Sequence, residues 1–261
     1  MKKIILAVFA FFAFGVQEIS ASGDQGFFKS LEYEVNAGTN IGGASPIPLP
    51  AEIRKINSYS PELNLQIGAT VRKWFGAEDK WGAGLGIRFE TKGMKTKATV
   101  KNYGMEIIDN GKTLKGRWTG KVQTKYHTQQ LVVPLTAFYR LSSRVILNAG
   151  PYLSYAFSND FDGYVFDGYL REGDPTGNKI SFSGDSKASY DFGNELRTFQ
   201  WGMQLGASVK VYKQLVVNAN LEWGCNDIFY SSFKTVTFNL YPIYLNLGFG
   251  YVSVSYTHLR A

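Results

Sequence analysis

The stretch Thr198–Trp223, TFQWGMQLGASVKVYKQLVVNANLEW, decides the fold. Every second residue from Phe199 is apolar: Phe199, Trp201, Met203, Leu205, Ala207, Val209 and Val211. Between them stand Gln200, Gly202, Gln204, Gly206, Ser208 and Lys210. A period of two marks a β-strand with one apolar and one polar face. Beyond Tyr212-Lys213-Gln214 the alternation resumes, with Leu215, Val217, Ala219, Leu221 and Trp223 against Val216, Asn218, Asn220 and Glu222. Each arm matches a tilted strand crossing a bilayer, roughly 9–11 residues. Pairing Val211 with Leu215 around a short loop keeps the apolar face continuous through the turn. That face is expected to meet lipid.

The 261 residues allow one all-β domain of ordinary size. No run reaches the roughly 18 apolar residues of a membrane-crossing helix. This excludes little, because barrel strands are half polar and give a weak hydropathy signal. Met1–Ser22 has Lys2 and Lys3, then the apolar run Ile4–Val16, then small residues Ser20, Ala21 and Ser22. That is the layout of a secretory signal peptide. At the far end Val254–Ala261, VSYTHLRA, looks like a translated sequencing adapter, with Ser253 grouped with it. The expected organisation is therefore a leader at 1–22, a barrel at 23–252 and an artefactual tail at 253–261. Cys225 is the single cysteine, which excludes an intrachain disulfide and a cysteine-rich metal site. The formal charge of +7 falls to +5 once Lys2, Lys3, Glu18 and Arg260 are set aside, too weak an excess to imply nucleic acid.

Taken in order, the chain offers eight alternating stretches. They are Leu31–Ile41, Leu63–Val71, Trp81–Phe89, Leu131–Leu141, Val145–Phe157, the two arms of the opening hairpin, and Ile243–Tyr251. Pro134, on the polar face of the fourth, predicts a local ladder defect. The connections alternate long and short. The long ones are Gly42–Pro61, with Pro46, Pro48 and Pro50, then Lys92–Thr128, Ser158–Arg197 and Asp227–Thr237. Outer-membrane barrels sort their connections this way, with short periplasmic turns and long extracellular loops. Phe75, Trp81, Tyr139 and Trp223 near strand ends suit interfacial girdles. The expected fold is an eight-stranded antiparallel up-and-down transmembrane β-barrel, all-β, its first and last strands paired because lipid cannot satisfy an open edge.

Several stretches carry a family resemblance: GGASPIPLPAEIRKINSYSP (42–61), GIRFETKGMKT (86–96), LVVPLTAFYRLS (131–142), AGPYLSY (149–155), DGYLREGDPTG (167–177), FQWGMQLGA (199–207) and YPIYLNLGFGYV (241–252). With them the chain resembles the PorT-like "porin family" outer-membrane β-barrel proteins of Gram-negative bacteria. The resemblance implies an exported protein of the outer membrane, with membrane lipid and the barrel-assembly machinery as partners. It supplies no substrate. Members usually end on an aromatic residue. This chain does not, and the departure begins where the adapter-like tail begins.

An eight-stranded barrel is only wide enough inside for side chains, and buried charges need partners. Glu32, Glu34, Glu90 and Glu222 should therefore pair with Arg72, Arg88, Arg140, Lys92 and Lys210 as a plug, with no cofactor and no metal. Lys92, Lys210 and Arg140 lie near strand ends, where solvation at a barrel mouth is the alternative. The second long connection is a basic loop: Lys95, Lys97, Lys101, Lys112, Lys115, Arg117, Lys121 and Lys125. The third leans acidic, with Asp160, Asp162, Asp167 and Glu172 among its carboxylates, but lacks the EF-hand spacing. The two loops pair with each other, or the basic one meets lipopolysaccharide phosphates or another anion. The expected function is structural or binding work through extracellular loops. The alternatives are a narrow porin, a lipid-modifying barrel enzyme, and a soluble lipocalin-like barrel with its apolar face inward. Outside the tail only His127 could act as a histidine base, with Ser158 and Asp160 as its nearest rim candidates, so the non-enzymatic reading is preferred.

Overall fold

The computed structural model describes residues 31–76, 78–109 and 111–254, the side chains of Asp185 and Val254 excepted. The expected leader and residues 255–261 of the tail lie outside them. The described chain forms a ten-stranded sheet. Its strands are β1 (Leu31–Pro46), β2 (Ile53–Pro61), β3 (Leu65–Phe75), β4 (Trp81–Asp109), β5 (Lys112–Arg140), β6 (Val145–Glu172), β7 (Lys179–Asp191), β8 (Phe199–Tyr212), β9 (Leu215–Gly224) and β10 (Leu240–Val254). Ser253 and Val254 belong to β10, opposite Tyr33 and Glu32 of β1. Antiparallel ladders join β1 to β3, β3 to β4, β4 to β5, β5 to β6, β6 to β8, β8 to β9, β9 to β10 and β10 to β1. Followed in turn, they lead back to β1.

The faces are oriented as lipid would demand. Outward along these strands lie Leu205, 63% exposed, Trp81, 61%, and Leu85, 56%, while Arg72 is 1% exposed and Glu90 0%. A lipocalin-like barrel needs the opposite orientation.

Higher up, the polarity inverts while the pleat keeps its phase. On β4 the outward residues pass from Leu85, Ile87 and Phe89 to Lys95 and Lys97, and the inward ones from Arg88, Glu90 and Lys92 to Met94, Ala98 and Val100. β5 mirrors this, with Val122 and Tyr126 buried above Gln130 and Thr136. Above the inversion the chain builds a head with an apolar core. It includes Trp118, Ile107, Met105, Val165, Leu170, Phe182, Tyr190, Phe192, Ile228 and Phe229. Aromatic edges lock it, as in Trp118 against Phe182 at 5.6 Å and Phe161 against Phe229 at 5.0 Å.

This corrects the loop reading. Lys92–Thr128 is no loop: β4 and β5 continue through it as paired arms to a tight turn between Asp109 and Lys112. Ser158–Arg197 holds the upper half of β6, all of β7 and the short 3-10 turn Gly193–Glu195. The proline-rich Gly42–Pro61 is interrupted between Pro46 and Ile53 as its composition requires, yet β2 follows and pairs with β4. The strands beyond the expected eight, β2 and β7, thus belong to the head.

Two details of register also matter. The β4–β5 ladder skips from Leu85↔Leu135 to Arg88↔Val132, flanking Pro134, which has no N–H to give. The opening hairpin holds its expected register from Met203↔Trp223 to Val209↔Val217, but Val211 does not pair with Leu215. A bulge after Lys210↔Val216 puts Tyr212 opposite Leu215 and leaves Lys213-Gln214 as the turn, with Lys213 at a φ of 43°.

Candidate functional site

The interior below the head holds two charge clusters. In the first, Arg72 of β3 meets both carboxylates that β1 turns inward. Its Nε lies 2.6 Å from Glu32 Oε1, and a second nitrogen donates to Glu34. Trp74 Nε1 donates to Glu32 at 3.1 Å, and Asn218 Nδ2 of β9 donates to Glu34 at 2.6 Å. Arg140 is half-buried at the edge, 3.9 Å from Glu32 and 4.0 Å over the Trp74 ring.

In the second cluster, Arg88, Glu90 and Lys92 follow each other along the inward face of β4 and meet Glu222 of β9. Arg88 Nε is 2.8 Å from Glu90, and another of its nitrogens donates to Glu222. Lys92 Nζ is 2.6 Å from Glu222 and 3.1 Å from Glu90, and it faces the rings of Tyr244 at 5.2 Å and Tyr152 at 5.6 Å. Gln204 of β8 ties the cluster to the wall, accepting from Arg88 at 3.1 Å and donating to Thr136 at 2.9 Å. β4 and β9 share no ladder, and three strands separate them whichever way the ladders are followed. The Arg88–Glu222 and Lys92–Glu222 pairs therefore bridge the interior from wall to wall. Both clusters balance two cations against two carboxylates, which is how charge survives out of water.

Between the clusters lies a cavity of about 40 Å³, lined by Glu34, Arg72, Arg88, Asn148, Gln204 and Asn218 among others. It has room for a few water molecules. Alongside the second cluster, where Gln66 stands opposite Glu90, an amide relay joins β10, β1 and β3: Asn246 donates to Asn40 at 2.7 Å and accepts from Gln66 at 3.0 Å.

The structure thus brings together Glu32, Glu34, Arg72 and Arg140, and separately Arg88, Glu90, Lys92 and Glu222. Lys92 is 2% exposed, so it is not solvated at a mouth. Lys210 is exposed instead of interior, because it sits at the bulge that ends β8. The amides Asn40, Asn64, Gln66 and Gln130 escaped the sequence reading. Their signal was present, since each occupies the inward phase of its strand or the position just before it.

The basic residues lie on strands, not a loop. Lys95, Lys97 and Lys101 are exposed on β4, and Lys121 on β5, where Lys125 is half-buried; Lys112 and Lys115 occupy the hairpin tip, with Arg117 half-buried below. β5 and β6 join the basic and acidic segments along their ladder, with one ion pair between them among the described residues, Lys121 to Asp167 at 3.0 Å. Lys115 pairs within its own hairpin, with Glu106 at 3.6 Å. His127 lies opposite Asp160 in the β5–β6 ladder, its Nδ1 3.4 Å from Glu62, while Ser158 lies opposite Gln129. Among the described residues no group of three or more His, Cys, Asp or Glu side chains could hold a metal.

An apolar outer belt around a charged, hydrogen-bonded interior defines a β-protein built for a bilayer. Residues 17–230 match the family model described as outer membrane protein beta-barrel domain, and the chain belongs to that family. Its place is the bacterial outer membrane. No curated protein matches the sequence. Solved structures resemble it distantly. Ail, the attachment invasion locus protein of Yersinia pestis, crystallised with the heparin analogue sucrose octasulfate, is 10% identical with a TM-score of 0.39, over 86% of this chain and 99% of Ail. Neisserial surface protein A is 13% identical with a TM-score of 0.30, over 85% and 96%. OprG from Pseudomonas aeruginosa is 12% identical with a TM-score of 0.31, over 86% and 97%.

Proposed function

We propose that residues 23–252 form an eight-stranded up-and-down transmembrane barrel, closed to solutes, that anchors a folded extracellular head. β1, β3, β4, β5, β6, β8, β9 and β10 make the wall. Its work is binding, adhesion or envelope integrity through that head, in the manner of a PorT-like outer-membrane protein, after insertion by the barrel-assembly machinery. The observation that carries this is the bridge from Arg88 and Lys92 to Glu222 across the interior, beneath the apolar core around Trp118. An ion would have to break four paired charges and then cross a dry layer.

Single-channel recording of the refolded protein in a planar bilayer tests it, with folding first established by a heat-modifiable gel shift. The expected result is a folded, silent barrel. A steady conductance that changes in Arg88→Ala or Glu90→Ala would replace this reading with a narrow porin.

A further inference from the structure

We propose that the outward face of the β2–β4–β5 sheet docks the phosphate groups of glycolipid in the outer leaflet. The proposal rests on the reading of the chain as a lipid-embedded barrel with its head outside.

The face is assembled by bulges. β2 pairs with β4 through Lys55↔Thr99, Ser58↔Lys97 and Ser60↔Lys95, with register shifts between Ile53 and Lys55 and between Ile56 and Ser58. A bulge inserts a residue and re-aims the side chains beyond it. The two shifts set Lys55, Ser58 and Ser60 on the same face as Lys95, Lys97 and Thr99. Asn57, extruded at the second bulge, turns to that face too and donates to Thr99 Oγ1 at 2.8 Å. β5 adds Lys121, Gln123 and Lys125, opposite Thr99, Lys97 and Lys95. Ser58, Ser60, Lys95, Lys97 and Gln123 line a surface recess of about 280 Å³. Ammonium groups around hydroxyl and amide donors are the chemistry that holds a phosphate.

The charge is not balanced within the protein. Lys95 stands opposite Lys125, an arrangement that costs stability when nothing offsets it. Glu62 lies 3.4 Å from Lys95, Asp167 3.0 Å from Lys121, and Asp162 stands opposite Lys125 on β6. Lys55, Lys97 and Lys101 take part in no ion pair among the described residues. The uncompensated cations therefore gather on the β2–β4 side, away from the acidic border at β6.

Position selects the lipid over a soluble anion. The face continues the lipid-facing belt upward on the same strands. From Phe89, outward in that belt, Lys95 is six residues on. That is about 20 Å along a strand, or about 15 Å of height at the usual barrel tilt. A phospholipid headgroup layer is only about 5–7 Å deep. A phosphorylated sugar headgroup stands taller, and lysine stems reach down to it.

The test uses the refolded full chain. Its binding is measured to vesicles carrying phosphorylated lipid A, to vesicles carrying the dephosphorylated glycolipid, and to soluble heparin, at low and high salt. We expect binding that requires the lipid phosphate and weakens with salt. The combined Lys55→Gln, Lys95→Gln, Lys97→Gln and Lys101→Gln variant should lose on the order of a thousandfold in affinity. The same four changes to arginine should retain it, and Lys112→Gln with Lys115→Gln at the tip should leave it unaltered. Unchanged binding by the glutamine variant, equal binding to dephosphorylated glycolipid, or binding to heparin alone would each overturn the proposal. The gel shift and conductance of the same variants report on the closed barrel separately, so either reading can fail without the other.

Discussion

Glu222 shows what a buried carboxylate does when two cations depend on it. Glu222→Gln removes one charge from a balanced set of four and leaves Arg88 and Lys92 sharing Glu90. Breaking a buried pair from one side costs about 3–5 kcal/mol. Equilibrium unfolding in lipid vesicles should show a loss of that order. Lys210→Gln is the contrast: the side chain is exposed, and its removal should change stability by less than about 0.5 kcal/mol. At this scale the sequence was readable wherever a strand ran regularly. Arg72, Arg88, Glu90 and Glu222 lie in unbroken alternation, and their phase gave their side of the wall. Lys210 has the same phase as Ser208 but sits where the strand bulges and leaves the wall, which no periodicity announces. The partners were beyond reach, because Arg88 and Glu222 are joined by the closing of the sheet and by nothing local.

The β4–β5 hairpin is a single element doing two jobs. Its lower half is wall and its upper half is the spine of the head. Head and wall are held by different forces, so they should fail separately. Trp118 is fully buried against Phe182, and Trp118→Ala should cost about 3–5 kcal/mol of packing. Limited proteolysis should then cut the head while the lower barrel keeps its gel shift. Alkaline pH should loosen the same unit. Burial pushes Tyr126 up to about 12, with the nearby Lys92 charge and a hydrogen bond to Gln200 opposing, and raises Tyr103 and Tyr190 as well. An unfolded tyrosine ionises near 10, so the head is undisturbed below that pH and loses stability between roughly 10 and 12. Near-ultraviolet tyrosine absorbance against pH follows this directly. A transition below pH 9 would contradict it. The sequence hid the head because the inversion at Lys92–Met94 turns Lys95, Lys97 and Lys101 outward as an apparently basic loop. Met94, Ala98 and Val100 alternate with them, but read against the lower belt they lie in the wrong phase. Once polarity is allowed to invert, the strand simply continues.

For the whole molecule the open variable is direction. Three short connections of the wall strands, residues 76–80, 141–144 and 213–214, lie at one end, and the head, with its lysine face and the tight turn between Asp109 and Lys112, occupies the other. Barrels insert with their short turns on the periplasmic side. The proposed docking requires that the lysine face stand on the side of the phosphorylated glycolipid. Direction can be read by cysteine accessibility, because Cys225 is the single cysteine and can be replaced by serine. In that background Lys112→Cys, at the hairpin tip, should react with a membrane-impermeant maleimide on intact cells. Lys213→Cys, in the β8–β9 turn, should react only after the outer membrane is opened. Lys112 is the exposed first residue of β5 in the head and Lys213 is exposed in the β8–β9 turn, so neither change should disturb the gel shift. The reverse pattern would put the head in the periplasm. The lysine face would then look onto the phospholipid leaflet, and the docking proposal would fall with the orientation even though the barrel stood.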